Sequence, residues 1–274
     1  MEIRHLILKG LFFLILTTWL TAEAFALPSY RRLFTAKYQF KVPCELCHEK
    51  EGGSANSDYG KDFLRGGANL MSFSKIEKKD SDHDGFPNIT EILARSNPTD
   101  PRSVPDHPRD WLAEADKTPL PTKELKKLFP EAGAFSAVEG SLSKEQIDLI
   151  KSNIGGELGD EDKVPTFYFA IADSKKYAVA QFVSTGEDKD RISMAIALNP
   201  KAQIMAVKVL KSKDKAFQSE DFLKQFVGKT SKDIFQIGAD LTPLTGREQT
   251  CQRLAIEVKK ALWTMIAVFS KKQD

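Results

Sequence analysis

The chain has 274 residues and a nearly balanced charge, with 40 Lys and Arg against 38 Asp and Glu. That length allows one large domain or two ordinary ones. The net charge of +2 is too small to predict nucleic acid or an anionic membrane surface as the main partner. Three cysteines are few for an exported protein held together by disulfides.

Residues 1–26 have the pattern of a cleavable signal peptide. Arg4 and Lys9 form a basic start, residues 11–20 are apolar, and residues 24–26 read small-x-small. The alternative is an uncleaved anchor, but the apolar run is short for a spanning helix of about 20 residues. We therefore expect cleavage after Ala26 and a soluble protein in the periplasm or another extracytoplasmic location.

Residues 27–105 form the first predicted module, which is rich in Gly and Asp and has little apolar periodicity. We expect it to be small, mostly helical or irregular, and dependent on a covalent group or a bound ion for its stability. It contains one Cys-x-x-Cys-His motif, formed by Cys44, Cys47 and His48.

The motif predicts a covalently attached haem c. Two thiols at i and i+3 can add to the two vinyl groups of haem, and the next imidazole can bind the iron. The competing interpretations are a redox dithiol and half of a zinc site, but no second cysteine pair completes a zinc tetrahedron. The motif therefore indicates a c-type cytochrome module and electron transfer.

Several residues are candidates for the sixth iron ligand. Met71 is the methionine downstream of the motif in this module, and a thioether ligand would raise the reduction potential. The alternatives are His83, His107 or an open position. A closed iron favours electron transfer, whereas an open one favours ligand binding or peroxidatic chemistry.

Residues 80–91 fit a twelve-residue calcium loop with Gly85 at its sharp turn. The alternative is a solvated acidic turn. No clean entering helix is predicted, so a paired EF-hand is not expected. The predicted ligands are the oxygen donors of Asp80, Asp82, Asp84, Phe86 (through its carbonyl) and Glu91.

With residues 97–101, the acidic loop resembles the calcium repeats of thrombospondin type 3 and related bacterial modules. The resemblance covers about 25 residues and implies a structural calcium ion. In that pattern His83 points outward.

Residues 106–121 are predicted to be a linker because of their prolines and charges. Residues 122–274 are predicted to form an α+β domain with an antiparallel meander. The expected helices are 123–128, 143–154, 221–227 and 249–269, and the expected strands are 166–172, 177–183, 192–198 and 204–210.

Five short segments follow one another in the last part of the chain: 129–132, 167–170, 204–210, 222–229 and 244–251. In this order, residues 128–268 resemble the FMN-binding domain of sodium-pumping quinone reductase and Rnf subunits and of nitrous-oxide-reductase regulators. In that family the last segment can carry FMN on a hydroxyl through a phosphoester. Aligned on Thr245 and Gly246, this hydroxyl belongs to Thr250. A glycine-flanked helix start also suits a phosphate group.

The segment departs from the family pattern at several positions. Arg247 and Glu248 replace the Ala and Thr after the glycine, and the family aspartate falls on Thr242. The resemblance implies FMN bound covalently at Thr250 or non-covalently, or else a flavin-free domain that serves as a binding scaffold.

Together these features predict an α+β protein that transfers electrons in the periplasm. A small haem module with a calcium loop precedes an FMN-binding-like domain with an antiparallel sheet. An electron carrier is expected rather than a substrate-converting enzyme, with redox proteins or a membrane-bound electron-transfer complex as partners. The alternatives are a haem-based redox- or gas-sensing docking module without flavin, and a small flavin-dependent reductase.

Overall fold

The computed structural model describes residues 28–48, 56–118, 120–186 and 190–269. The predicted signal peptide, residues 1–26, lies outside the described residues. In the described ranges, no helix combines the length and the apolar character that a bilayer-spanning segment requires.

Short helices build the N-terminal part of the described chain. They are α1 (Pro28–Tyr38), α2 (Asp58–Arg65), α3 (Leu70–Ile76) and α4 (Asn88–Ala94). Ser57 caps α2 by accepting the backbone N–H of Gly60 at 3.0 Å, and Asn69 and Ser72 form a capping box at α3. Helices of about two turns are stabilised mainly by packing and caps, which explains the weak apolar periodicity of this part.

A five-stranded antiparallel meander with strand order β1-β2-β3-β4-β5 follows. The strands are β1 (Ala134–Glu139), β2 (Thr166–Ala172), β3 (Lys175–Thr185), β4 (Ile192–Leu198) and β5 (Ile204–Lys211). The predicted antiparallel sheet and the α+β class are confirmed. The edge strand β1 was not predicted from the sequence. Its pairing with β2 defines it as a strand, and the sequence pattern of its own residues does not.

The helices of the second part are α5 (Thr122–Leu128), α6 (Lys144–Ile154), α7 (Glu220–Leu223) and α8 (Glu248–Phe269). The helix predicted over 221–227 is wrong in its extent. The chain there forms the short α7 and then a 3-10 turn, Lys224–Phe226.

The sheet has apolar layers on both faces. One face packs against α8, where Leu254, Val258 and Leu262 are buried. The other face shares a core with Phe34 of α1 and Phe63 of α2. Residues on both sides of segment 106–121 therefore contribute to one core. The predicted division into a module (27–105), a linker (106–121) and a domain (122–274) stays a prediction.

Candidate functional site

The Cys-x-x-Cys-His motif is wound into a single turn. The backbone N–H groups of Cys47 and His48 both donate to the carbonyl oxygen of Cys44, at 3.1 and 3.0 Å. Both thiol-bearing residues are partly exposed, and His48 is 7% exposed. Two thiols on one turn beside a buried imidazole are a donor set that fits covalent attachment of haem.

The second thiol of the motif lies in a buried environment. Burial, and then the nearby Cys44, raise the pKa of Cys47 to about 12, so this thiol is protonated at neutral pH.

The start of α2 holds the motif turn in place. The Ser57 hydroxyl donates to the carbonyl oxygen of Leu46 at 2.8 Å, and the Ser57 N–H donates to that of Cys47 at 3.4 Å. At Gly60 the helix touches the turn so closely that an added Cβ would lie 2.6 Å from the Cys47 carbonyl oxygen. A side chain at this position would push the turn and the helix apart.

Gly60→Ala is therefore expected to lower the free energy of unfolding by about 1–3 kcal/mol, because overpacking outweighs the better helix propensity of Ala. Denaturant unfolding monitored by circular dichroism measures the change. Gly156→Ala is the matched control, since the nearest atom to its added Cβ is a side-chain carbon of Ile154 at 4.0 Å. We expect a change within about 0.5 kcal/mol there. Equal effects of the two substitutions would contradict the close contact at Gly60.

A polar cavity of about 390 Å³ lies beside His48. Its walls include Ser57 at the start of α2, Ser81 in the acidic loop, and Asn97 and Arg102 after α4. The fold therefore brings the motif histidine and the predicted calcium loop to the same cavity.

The predicted sixth-ligand candidates lie elsewhere. In the described part of the chain, Met71, His83 and His107 are absent from the wall of this cavity. Met71 is 64% exposed on α3, and both histidines are exposed. The assignment of Met71 stays a prediction.

The acidic loop lies between two helices. The entering helix missed by the sequence analysis is α3, which ends at Ile76, and α4 leaves the loop from Asn88. The carboxylate of Asp80 accepts the backbone N–H of His83 at 2.8 Å and that of Gly85 at 3.0 Å. Gly85 has φ of +97°, a conformation that glycine adopts without strain.

The carboxylates of this loop converge, and no basic side chain of the described residues forms an ion pair with them. One oxygen from each of Asp80, Asp82 and Asp84 lies within 4.8 Å of the others. Glu91 is 0% exposed, and neither of its carboxylate oxygens has a hydrogen-bond partner among the described residues. The Oδ2 atoms of Asp82 and Asp84 are likewise buried without a partner in the described ranges.

This crowding changes the acidity of the cluster. Burial, reinforced by the charges of Asp82, Asp84 and Asp80, raises the pKa of Glu91 to about 9. Burial and the charge of Asp84 raise the pKa of Asp82 to about 6. Because buried charge is costly unless it is paired or bound to a metal, the donor set fits a hard cation with oxygen ligands. The backbone of Phe86 lies within this loop, where its N–H donates to Asp84 Oδ1 at 2.8 Å.

The segment predicted to hold FMN forms the start of α8. Thr245 and Gly246 precede the helix, and the N–H of Gly246 donates to the carboxylate of Glu248 at 2.9 Å. The guanidinium of Arg247 pairs with Asp214, and the hydroxyl of Thr250 accepts from Arg253. The Glu248 carboxylate thus accepts the Gly246 N–H group at the helix start, where the FMN phosphate would be expected. These residues therefore fit an FMN phosphate poorly.

A second polar cleft, of about 520 Å³, lies between α8 and the turn after β3. Lys260 forms ion pairs there with Asp162 at 2.9 Å and Glu257 at 2.8 Å. The sequence gives no signal for this cluster, because Lys260 and Asp162 are 98 positions apart.

Two buried tyrosines in the core that the motif segment packs against were also missed. Tyr59 of α2 and Tyr168 of β2 are each 0% exposed, and neither hydroxyl has a hydrogen-bond partner among the described residues. Their place in this core arises from tertiary packing, and no local pattern could have indicated it.

No protein-family model matches the chain, and no curated protein matches it with significance.

Proposed function

We propose that this chain is an exported electron carrier in which Cys44 and Cys47 hold a haem covalently and His48 binds its iron. The observation that supports this most strongly is the turn that carries both thiols next to a buried imidazole. An attached haem supplies a one-electron iron couple. A periplasmic location fits the pattern of residues 1–26 and the setting in which such haems are attached.

The chain's own residues hold the site rigid. Ser57 and Gly60 fix the motif turn against α2, which sets the position of His48. The cavity beside His48 is polar and connects the site to the acidic loop through Ser81. Electrons would pass to an external redox protein, such as a membrane-bound electron-transfer complex. Because the start of α8 fits a phosphate poorly, the proposed function does not include a flavin.

The acidic loop is proposed to bind one structural calcium ion. The aspartates at loop positions 1, 3 and 5, the carbonyl of Phe86 and a bidentate Glu91 would supply oxygen ligands of the kind that calcium prefers. The buried and unpartnered carboxylate of Glu91 supports this proposal most directly. The neighbouring Ser81 N–H donates to the Asn88 side chain at 3.1 Å, and so ties the loop to α4.

Calcium affinity is expected to rise with pH between about 5 and 9. Without the ion, Glu91 and Asp82 have pKa values raised to about 9 and about 6, so calcium must displace protons. Without calcium, the folded protein keeps a proton on Glu91 that the unfolded chain releases above the ordinary glutamate pKa of 4.5. The calcium-free protein should therefore lose stability as the pH rises from 4.5 towards 9. Calorimetric titration across this range measures both trends. A dissociation constant independent of pH would contradict the placement of Glu91 among the ligands.

Electron transfer is tested by spectroelectrochemistry of protein made in a periplasm that carries out cytochrome maturation. We expect a reversible one-electron couple with the absorption bands of a c-type haem. A protein that carries haem but does not cycle reversibly would contradict the role of electron carrier.

A second candidate function is a haem-based sensor of a small ligand. Met71 is 64% exposed and does not line the cavity beside His48, which favours an open sixth position. Rapid binding of carbon monoxide to the reduced protein would support this candidate. Failure to bind it would favour a closed iron and the electron carrier.

A further inference from the structure

Ser81 belongs to the acidic loop and also lies in the wall of the cavity beside His48. It stands between Asp80 and Asp82, two of the proposed calcium ligands. Ser81 is 9% exposed, and its hydroxyl is buried without a hydrogen-bond partner among the described residues. The proposed iron ligand and a neighbour of two proposed calcium ligands therefore border the same space.

An ion pair also ties the start of the acidic loop to α2. Lys79 precedes Asp80 in the chain, and its Nζ atom lies 2.7 Å from Oδ2 of Asp62 on α2. At its other end this helix contacts the motif turn through Ser57 and Gly60. Because α2 has only eight residues, one short helix links the acidic loop to the turn that carries His48.

Negative charge is concentrated in the loop that borders this cavity. One carboxylate oxygen from each of its three aspartates lies within 4.8 Å of the others, and Glu91 is buried in the same loop. Arg102 in the cavity wall does not offset this charge, since it pairs with Asp100 at 2.9 Å. A doubly charged cation held by the loop therefore makes this side of the cavity more positive.

We propose that calcium in the acidic loop regulates the haem site, and that it raises the reduction potential of a haem attached to Cys44 and Cys47. This inference rests on the proposed function, since it requires the haem as well as the ion. The reduced iron carries one positive charge less than the oxidised iron, so a nearby dication favours the reduced state. The loop then sets the potential in addition to bracing the fold.

The effect must be reciprocal. If calcium raises the equilibrium constant for reduction by some factor, reduction raises the affinity for calcium by the same factor. We expect a factor of about three, which is roughly 30 mV at 59 mV per tenfold for a one-electron couple. Water and salt at the polar cavity screen the charge of the ion, which keeps the factor small.

The test uses the holoprotein at constant ionic strength. Spectroelectrochemistry gives the potential in saturating calcium and in chelator, and calorimetric titration gives the calcium dissociation constant of the oxidised and of the reduced protein. A higher potential with calcium, and a dissociation constant lowered by the matching factor on reduction, support the inference. A purely structural ion would change stability and leave both quantities unchanged.

Two variants show whether the response comes from the loop. At a calcium concentration that just saturates the wild type, Glu91→Gln should lose the calcium-dependent shift in potential. Glu131→Gln, a change at an exposed glutamate outside the loop, should keep the shift in full. A shift that persists in Glu91→Gln would overturn the assignment of the response to the acidic loop.

The remaining outcomes separate the failure of this inference from the failure of the proposed function. Equal potentials with and without bound calcium, in protein that carries haem, would overturn the regulation and leave the electron carrier standing. Haem-loaded protein that does not bind calcium would overturn the regulation and the calcium site. A wild type without attached haem would overturn the proposed function and this inference together.

Discussion

Glu91→Gln is expected to weaken calcium binding by at least a hundredfold. Position 12 of such a loop supplies two ligand oxygens, and an amide offers one neutral oxygen in their place. In saturating calcium the variant should therefore be less stable than the wild type, which gains about 2.7 kcal/mol at a hundred times its dissociation constant. Calorimetric titration and thermal unfolding with and without chelator measure both effects.

The order of stability should reverse when calcium is removed. The wild type then keeps a buried carboxyl group with no partner among the described residues. Because the pKa of Glu91 is raised to about 9, the wild type must take up a proton to fold at neutral pH, and Gln avoids this cost. We expect Glu91→Gln to exceed the wild type by about 1–3 kcal/mol in chelator. Glu131→Gln, a change at an exposed glutamate, should alter neither the calcium affinity nor the stability in chelator. A variant that is less stable than the wild type in both conditions would point to a structural role for Glu91 without calcium.

Replacing Cys44 and Cys47 together with serine is expected to abolish covalent attachment of haem. A serine hydroxyl does not form the thioether bonds that hold the macrocycle. Each single substitution should leave at most one bond and reduce the yield of holoprotein. Denaturing gel electrophoresis stained for haem measures the loss.

Cys251→Ala is the matched control for the cysteine changes. Cys251 is the third cysteine of the chain and is 0% exposed in the core between the sheet and α8. The substitution is expected to lower stability modestly and leave haem attachment unchanged. Loss of haem in Cys251→Ala, or retention of haem in the double variant, would contradict the assignment of the motif.

The features that local sequence pattern determines were predictable. Four strands follow alternating or continuous apolar runs bounded by turn residues, and their predicted positions agree with the sheet. The acidic loop could be predicted because its ligands are close in sequence and Gly85 has the positive φ that the turn requires. The motif turn is also local, since its thiols and imidazole lie within five residues.

The features that depend on distant contacts were not predictable. Strand β1 exists through its pairing with β2, and α3 depends on its capping box and on packing against α1 and α2. Tyr168 is separated from the motif by more than a hundred residues, so only the packing of the sheet reveals its position. The same holds for the pair of Lys260 with Asp162.

The most direct test of the proposed function is the intact mass of the mature wild-type protein under denaturing conditions. The protein should be produced in a periplasm that supports cytochrome maturation. The expected result is the mass of the chain that begins at Leu27 plus the mass of one haem. The mass of the chain alone, from folded protein made under conditions that load a known c-type cytochrome, would contradict the haem site.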